Sequence, residues 1–257
     1  MGCGSSNPQN VVEPGSKPGE NTQRPQSARP KSGAQNRVKS ASQSQHSNNY
    51  VLNYFDLSGR GELIRLVFAA GNIDYEDNRV KFEEWPQIKD YMPLGQLPTL
   101  QVNDEPLLVQ SLSIARFVAK EAGLAGRDSE EMAKVDSVLE TCKEFVEEFV
   151  AQLGPQLRNP TDEKNQIVDE FFASHVPENL ERIQRLVELY GSNGYSVGDQ
   201  LTVADLFIHD ILTNLIELKP FVLDDYQLLK ENRTTTENNQ HLKSYLNQRR
   251  ELRRNQQ

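Results

Sequence analysis

The sequence is poor in the residues that build covalent or metal-held scaffolds. Two cysteines, Cys3 and Cys142, occur in 257 residues. They cannot make a disulfide framework and fit a reducing compartment. The four histidines, His46, His175, His209 and His241, are scattered without metal-ligand spacing, so no metal site is expected. No apolar run approaches the roughly 18 residues of a membrane span, and no apolar core follows Met1. These absences point to a cytoplasmic protein rather than a secreted or spanning one. No internal repeat is visible.

Basic charge is scarce where a nucleic-acid binder would need it. The chain carries 28 Lys and Arg against 37 Asp and Glu. Residues 1–48 hold a balance of +4, leaving −13 on the remainder. An acidic body lacks the cations that meet phosphates, which argues against nucleic acid.

Residues 1–48 are rich in Ser, Asn, Gln, Pro and Gly. Such a composition buries too little apolar surface to offset ordering entropy, and we expect a disordered arm. Its start, Met1-Gly2-Cys3-Gly4-Ser5-Ser6, matches the N-myristoylation pattern, with Gly2 as acceptor and Ser6 in the required place. Cys3 is a candidate palmitoylation site. One acyl chain binds membranes only marginally whereas two hold, so the expectation is a doubly lipidated arm that tethers the protein to a cytoplasmic membrane face.

Beyond the arm, Tyr50–Phe55 alternates as a strand, and Asp56–Gly61 reads as a turn. From Glu62, the residues Leu63, Leu66, Val67 and Ala70 recur at helical spacing up to Gly71. Asp74–Val80 reads as a second strand, and Phe82–Tyr91 as an irregular stretch holding Trp85. Leu94 to Ser111 gives a proline at the mouth of a strand, a turn at Asn103–Pro106, and a second short strand. Gln110-Ser111 then opens a helix running to Ala122, with Ser111 as its N-cap and its first amides as an anion site. From Glu130, Met132, Val135, Val138, Leu139, Cys142, Phe145, Phe149 and Leu153 form one apolar stripe, which Gly154-Pro155 ends or kinks. One or two helices follow, interrupted near Pro177. Thr202 and Asp205 make a capping box for a core helix Val203–Leu215, and Leu242–Leu252 a last basic helix.

Gln96-Leu97-Pro98 followed by Gln110-Ser111, with Leu52-Asn53-Tyr54-Phe55 and Gly59-Arg60 upstream, resembles the glutathione transferases, most closely their sigma class. The resemblance spans about Tyr50 to Leu246. It implies a thioredoxin-like domain over 49–125 and an all-helical domain over 126–257. It also implies glutathione as co-substrate, a homodimer, and a cis peptide bond before Pro98.

By the same resemblance, Tyr54 is the catalytic hydrogen-bond donor and Arg60 supports the thiolate. Trp85 and Lys89 take the glycine end of glutathione. Gly95, Gln96, Leu97 and Pro98 supply the backbone clamp, and Gln110 and Ser111 take the γ-glutamyl carboxylate. Glu144 matches the acid that reaches the partner subunit's glutathione. Ser58 stands where close relatives often carry Arg, and no Cys stands near Tyr54 or Ser58 where a cysteine-type enzyme would have one.

The chemistry asked of Tyr54 is modest. A thiol of pKa about 8.5 is only ~3% thiolate at pH 7. One hydrogen bond to the charged form, worth about 1.5–3 kcal/mol, lowers that pKa by roughly one to two units. The resulting thiolate would attack an electrophile or open a peroxide. A prostaglandin D-type isomerase and a non-catalytic crystallin-like or scaffolding relative remain open alternatives.

Overall fold

The structure is a computed structural model, and it describes residues 48–254, with side chains through Glu251. The lipidation positions Gly2 and Cys3 lie outside the described residues. Four strands form one sheet in the order β2-β1-β3-β4. β1 (Tyr50–Phe55) pairs parallel with β2 (Glu76–Val80) and antiparallel with β3 (Thr99–Val102). β4 (Leu108–Val109) closes the antiparallel edge against β3.

Alternation along β1 does what its sequence promised. Tyr50, Leu52 and Tyr54 are buried on one face, where the Tyr50 ring meets Phe68 and Phe117. Those two residues belong to α1 (Gly59–Ala70) and α3 (Ser111–Glu121), which cover that face. On the opposite face Asn53 bridges Asn78 and Thr99 across the sheet, and Phe55 packs against Phe82 and Trp85. Trp85 opens the short α2 (Trp85–Ile88), followed by a 3₁₀ turn at Lys89–Tyr91.

The helical part comprises α4 (Ser129–Arg158), α5 (Lys164–Ser174), α6 (Val176–Tyr190), α7 (Val203–Leu218), α8 (Gln227–Glu237) and α9 (Gln240–Arg254). α7 is the buried axis, with Val203 to Leu212 all shielded. Asp205 fixes its start by accepting from the Thr202 amide (2.7 Å) and the Ser196 amide (2.6 Å). α1 packs on α7 and α9 as well as on the sheet, so the two parts share one core. No described helix is long and apolar enough to cross a membrane.

Several sequence expectations shift. α1 begins at Gly59, inside the stretch read as a turn, because Gly59 at φ +43° lets the chain swing straight into the helix. β2 begins at Glu76, two residues later than expected. α4 does not end at Gly154-Pro155 but runs to Arg158, with Pro155 inside its last turn. Packing of the Cys142, Phe145 and Leu153 stripe outweighs the one amide that proline removes. Pro177 sits in the first turn of α6, where proline is tolerated, and the break falls at His175. α8 was not expected at all.

Candidate active site

The chain enters the site at the end of β1. Tyr54 is 6% exposed, and its ring lies against the first turn of α1. The Arg60 amide donates to Tyr54 Oη at 2.9 Å. Space for that approach comes from two glycines: a Cβ at Gly59 would stand 2.6 Å from Oη, and one at Gly61 would run into the ring. Burial raises the phenol pKa above 10.0. The Arg60 amide and the Arg65 and Arg60 charges oppose this, and Asp210 adds to it. Tyr54 is therefore a neutral phenol at physiological pH. The Arg60 amide occupies one lone pair of the hydroxyl, which keeps its own proton to donate.

Beside it lies an open crevice of ≈ 310 Å³, bordered by Arg60, Gln96, Leu97, Pro98, Gln110 and Ser111. The Leu97–Pro98 peptide bond is cis. Gln110, not Ser111, is the N-cap of α3, and its backbone at φ +71° turns the chain from β4 into the helix. Ser111 is thus the first residue inside the helix. Because the ladder of α3 begins with the Ile114 amide on the Gln110 carbonyl, the amides of Ser111, Leu112 and Ser113 have no partner within the helix. Such amides suit a carboxylate.

The remaining expected residues are not among those that border the crevice. Trp85 is half-buried with its ring edge-on to Phe55. The exposed Lys89 lies along Gly95, whose φ of +58° forms the bend before Gln96. Glu144 is apart from this cluster on the exposed face of α4, where Arg182 of the same chain holds it at 2.6 Å. Leu94 and Val109 also border the crevice, though no motif marked them. Arg65 and Asp210, which shape the field at Tyr54, carried no signal beyond their place in helical segments. Cys142 is wholly buried on α4, and burial pushes its thiol far above the ordinary range, so it is inert. Among the described residues no group of three or more His, Cys, Asp or Glu is placed to hold a metal ion.

Comparison with known proteins bears on the family. Residues 50–120 match the family described as "Glutathione S-transferase, N-terminal domain", and residues 143–249 match "Glutathione S-transferase, C-terminal domain". Hematopoietic prostaglandin D synthase of Homo sapiens is 35% identical over 181 residues, covering 70% of this chain and 86% of that protein. Glutathione S-transferase 1 of Ascaris suum is 37% identical over 186 residues, covering 71% and 87%. The crystal structure of the glutathione S-transferase from Ascaris lumbricoides superposes with a TM-score of 0.73 at 33% identity, over 78% of this chain and 97% of that one. With both domain families matched in order on a thioredoxin-like sheet and a helical bundle, the chain belongs to the glutathione S-transferase family.

Proposed function

We propose that the protein is a glutathione transferase of tyrosine type, sigma-like in class. The carrying observation is the Tyr54 hydroxyl: buried, neutral, and accepting from the amide of Arg60, a residue that borders the crevice. Glutathione, when bound, supplies the thiol that becomes the nucleophile. Tyr54 Oη–H would donate to the sulfur and stabilise its anionic form without itself losing the proton. Arg60, exposed at the crevice rim, would add positive potential. Backbone groups of Gly95, Gln96 and Leu97 suit a peptide, and the first amides of α3 with Ser111 and Gln110 suit the γ-glutamyl carboxylate. Trp85 and Lys89 suit the glycine end. In conjugation the sulfur forms one new bond to the electrophilic carbon as the leaving group departs with its electron pair.

The test is conjugation of glutathione to a generic aryl halide by the full chain and by Tyr54→Phe. Loss of the hydrogen bond, worth about 1.5–3 kcal/mol, should lower kcat/KM roughly ten- to hundredfold. Equal rates for the two proteins would sink the reading.

A second reading, isomerisation of a prostaglandin-type endoperoxide with glutathione regenerated, is favoured by the 35% identity to the human prostaglandin D synthase. It uses the same thiolate and differs in product, so incubation with that substrate class separates the two. The sigma-like reading further carries a homodimer in which Glu144 meets the partner's glutathione. That role requires Glu144 to leave Arg182, so Arg182→Ala should tighten glutathione binding in the dimer if it holds.

A further inference from the structure

The back of Tyr54 is as organised as its front. Arg65 is fully buried beneath it, with its guanidinium carbon 5.6 Å from the Tyr54 ring centroid. Its donors are spoken for. Nε reaches both oxygens of Asp77 at 3.1 Å, Nη1 reaches the Leu57 carbonyl at 2.8 Å, and Nη2 reaches the Phe55 carbonyl at 3.4 Å. Arg65 thus clamps the backbone on the far side of Tyr54 while placing a cation against its ring. Nη1 also meets Glu62 Oε2 at 3.4 Å.

Glu62 is the hinge of the arrangement. Its other oxygen, Oε1, belongs to the C-terminal helix: the Tyr245 hydroxyl donates to it at 2.6 Å, and Arg249 Nε stands at 3.2 Å. Arg249 also reaches Asp210 of α7 at 3.0 Å through Nη2. Arg249 is 8% exposed, and Glu62 2%. The path from α9 to Tyr54 therefore runs through two buried side chains of α1.

We infer that Arg249 and Tyr245 are positioning residues for Tyr54, acting through Glu62 and Arg65, so that the C-terminal helix sets the electric field at the thiolate site. This rests on the role proposed for Tyr54. The charged groups facing Tyr54 are Arg60 and Arg65 of α1 and Asp210 of α7. Those facing Glu62 and Arg65 are Tyr75, Asp77 and Arg79 around β2, and Tyr245 and Arg249 of α9; Asp210 in turn faces Arg249, and Asp56 faces Arg79. Arg65, Arg79 and Arg249 face Glu62, Asp77, Asp210 and, through Arg79, the exposed Asp56. Loss of Arg249 shifts the cluster by one charge toward negative, which disfavours a thiolate at Tyr54. Loss of Asp210 shifts it by one charge toward positive, which favours it. A merely structural junction predicts no such opposition of sign.

The experiment is an ultraviolet titration of the thiolate band of glutathione bound to the full chain. It compares wild type, Arg249→Met, Arg249→Lys, Asp210→Asn, Tyr245→Phe and Tyr54→Phe. Affinity for S-methylglutathione, which has no thiol to ionise, is followed through the Trp85 fluorescence. Arg249→Met should raise the apparent thiol pKa by about half a pH unit, a roughly threefold loss of thiolate below it. Asp210→Asn should lower it. Arg249→Lys, which keeps the charge, should return it to within about twofold of wild type in thiolate fraction. S-methylglutathione affinity should stay unchanged in all three. Should Arg249→Met fail to fold, Tyr245→Phe carries the test: the ring is kept, one donor to Glu62 is lost, and the thiol pKa should rise. Shifts of the same sign in the Met and Asn variants, or no shift in folded Met or Phe variants, overturn the inference. If Tyr54→Phe itself leaves the thiol pKa unmoved, the role of Tyr54 fails instead.

Discussion

Tyr54 stands between two polar regions built on opposite terms. The crevice side is open: Arg60, Lys89 and Gln110 are exposed, and Arg60, Gln96, Gln110 and Ser111 border the crevice. The inner side is closed: Glu62, Arg65, Asp210 and Arg249 are buried and hold one another. Exposed charges in water contribute little singly, which suits a surface that must bind and release a small peptide. Buried charges are costly unless paired, so each partner is needed once the set exists. The difference teaches that the open side offers replaceable contacts, while the placement of the Tyr54 hydroxyl depends on a few irreplaceable ones.

The sharpest way to break that contrast is to cut the closed side. Arg65→Met leaves Asp77 and Glu62 buried without their shared cation, and should cost about 3–5 kcal/mol of stability. Chemical denaturation reads this directly. A loss below about 1 kcal/mol would mean that the inner cluster is a passive ornament of the core. Gly59→Ala comes next, since it acts where the two sides meet. A left-handed alanine costs about 1–3 kcal/mol. Its Cβ would also stand 2.6 Å from Tyr54 Oη, so kcat/KM should fall roughly tenfold or more as the hydroxyl is displaced. On the open side Lys89→Met should weaken glutathione binding only a fewfold, on the order of 1 kcal/mol or less, and leave the denaturation midpoint in place.

The same contrast explains what could be read from the chain beforehand. The crevice is local in sequence: Gln96-Leu97-Pro98 and Gln110-Ser111 are two short signals joined by a hairpin, and Tyr54 ends an alternating strand. The inner cluster is not. Glu62 and Arg65 occupy positions that the apolar spacing of α1 assigns to solvent. Only the packing of α9, far along the chain, gives them partners and buries them. The start of α1 was hidden because glycines that usually signal a turn here admit the Tyr54 ring. α8 was hidden because Gln227–Glu237 carries a run of threonines and little apolar pattern, and it is held by Leu229 and by polar anchors. Asn232 is one such anchor, donating to Asp205 at 2.7 Å. The extension of α4 past Pro155 was hidden because packing along its stripe, not the local breaker, decides where it ends.

The smallest effect expected at neutral pH becomes the largest in alkali, and it again divides the two sides. Burial raises the phenol of Tyr54 above its usual 10.0, and burial beside Glu62 and Tyr75 raises that of Tyr245 well above it. Tyr75 is raised likewise, by burial and by Asp77. A raised folded pKa means that the native state holds the proton more tightly than the unfolded chain does. The stability tied to these groups is therefore fully present below pH 10 and is lost as the pH climbs toward the folded values. Thermal melting should be insensitive to these phenols from pH 7 to about 9.5 and fall steeply above that range. Tyr245→Phe removes one buried phenol from the inner cluster and should make the alkaline fall shallower, even if the midpoint at pH 7 is lowered by loss of the bond to Glu62. An alkaline slope identical to wild type would show that the Tyr245 hydroxyl ionises as it does in the unfolded chain. The closed side of the site would then be open to water after all.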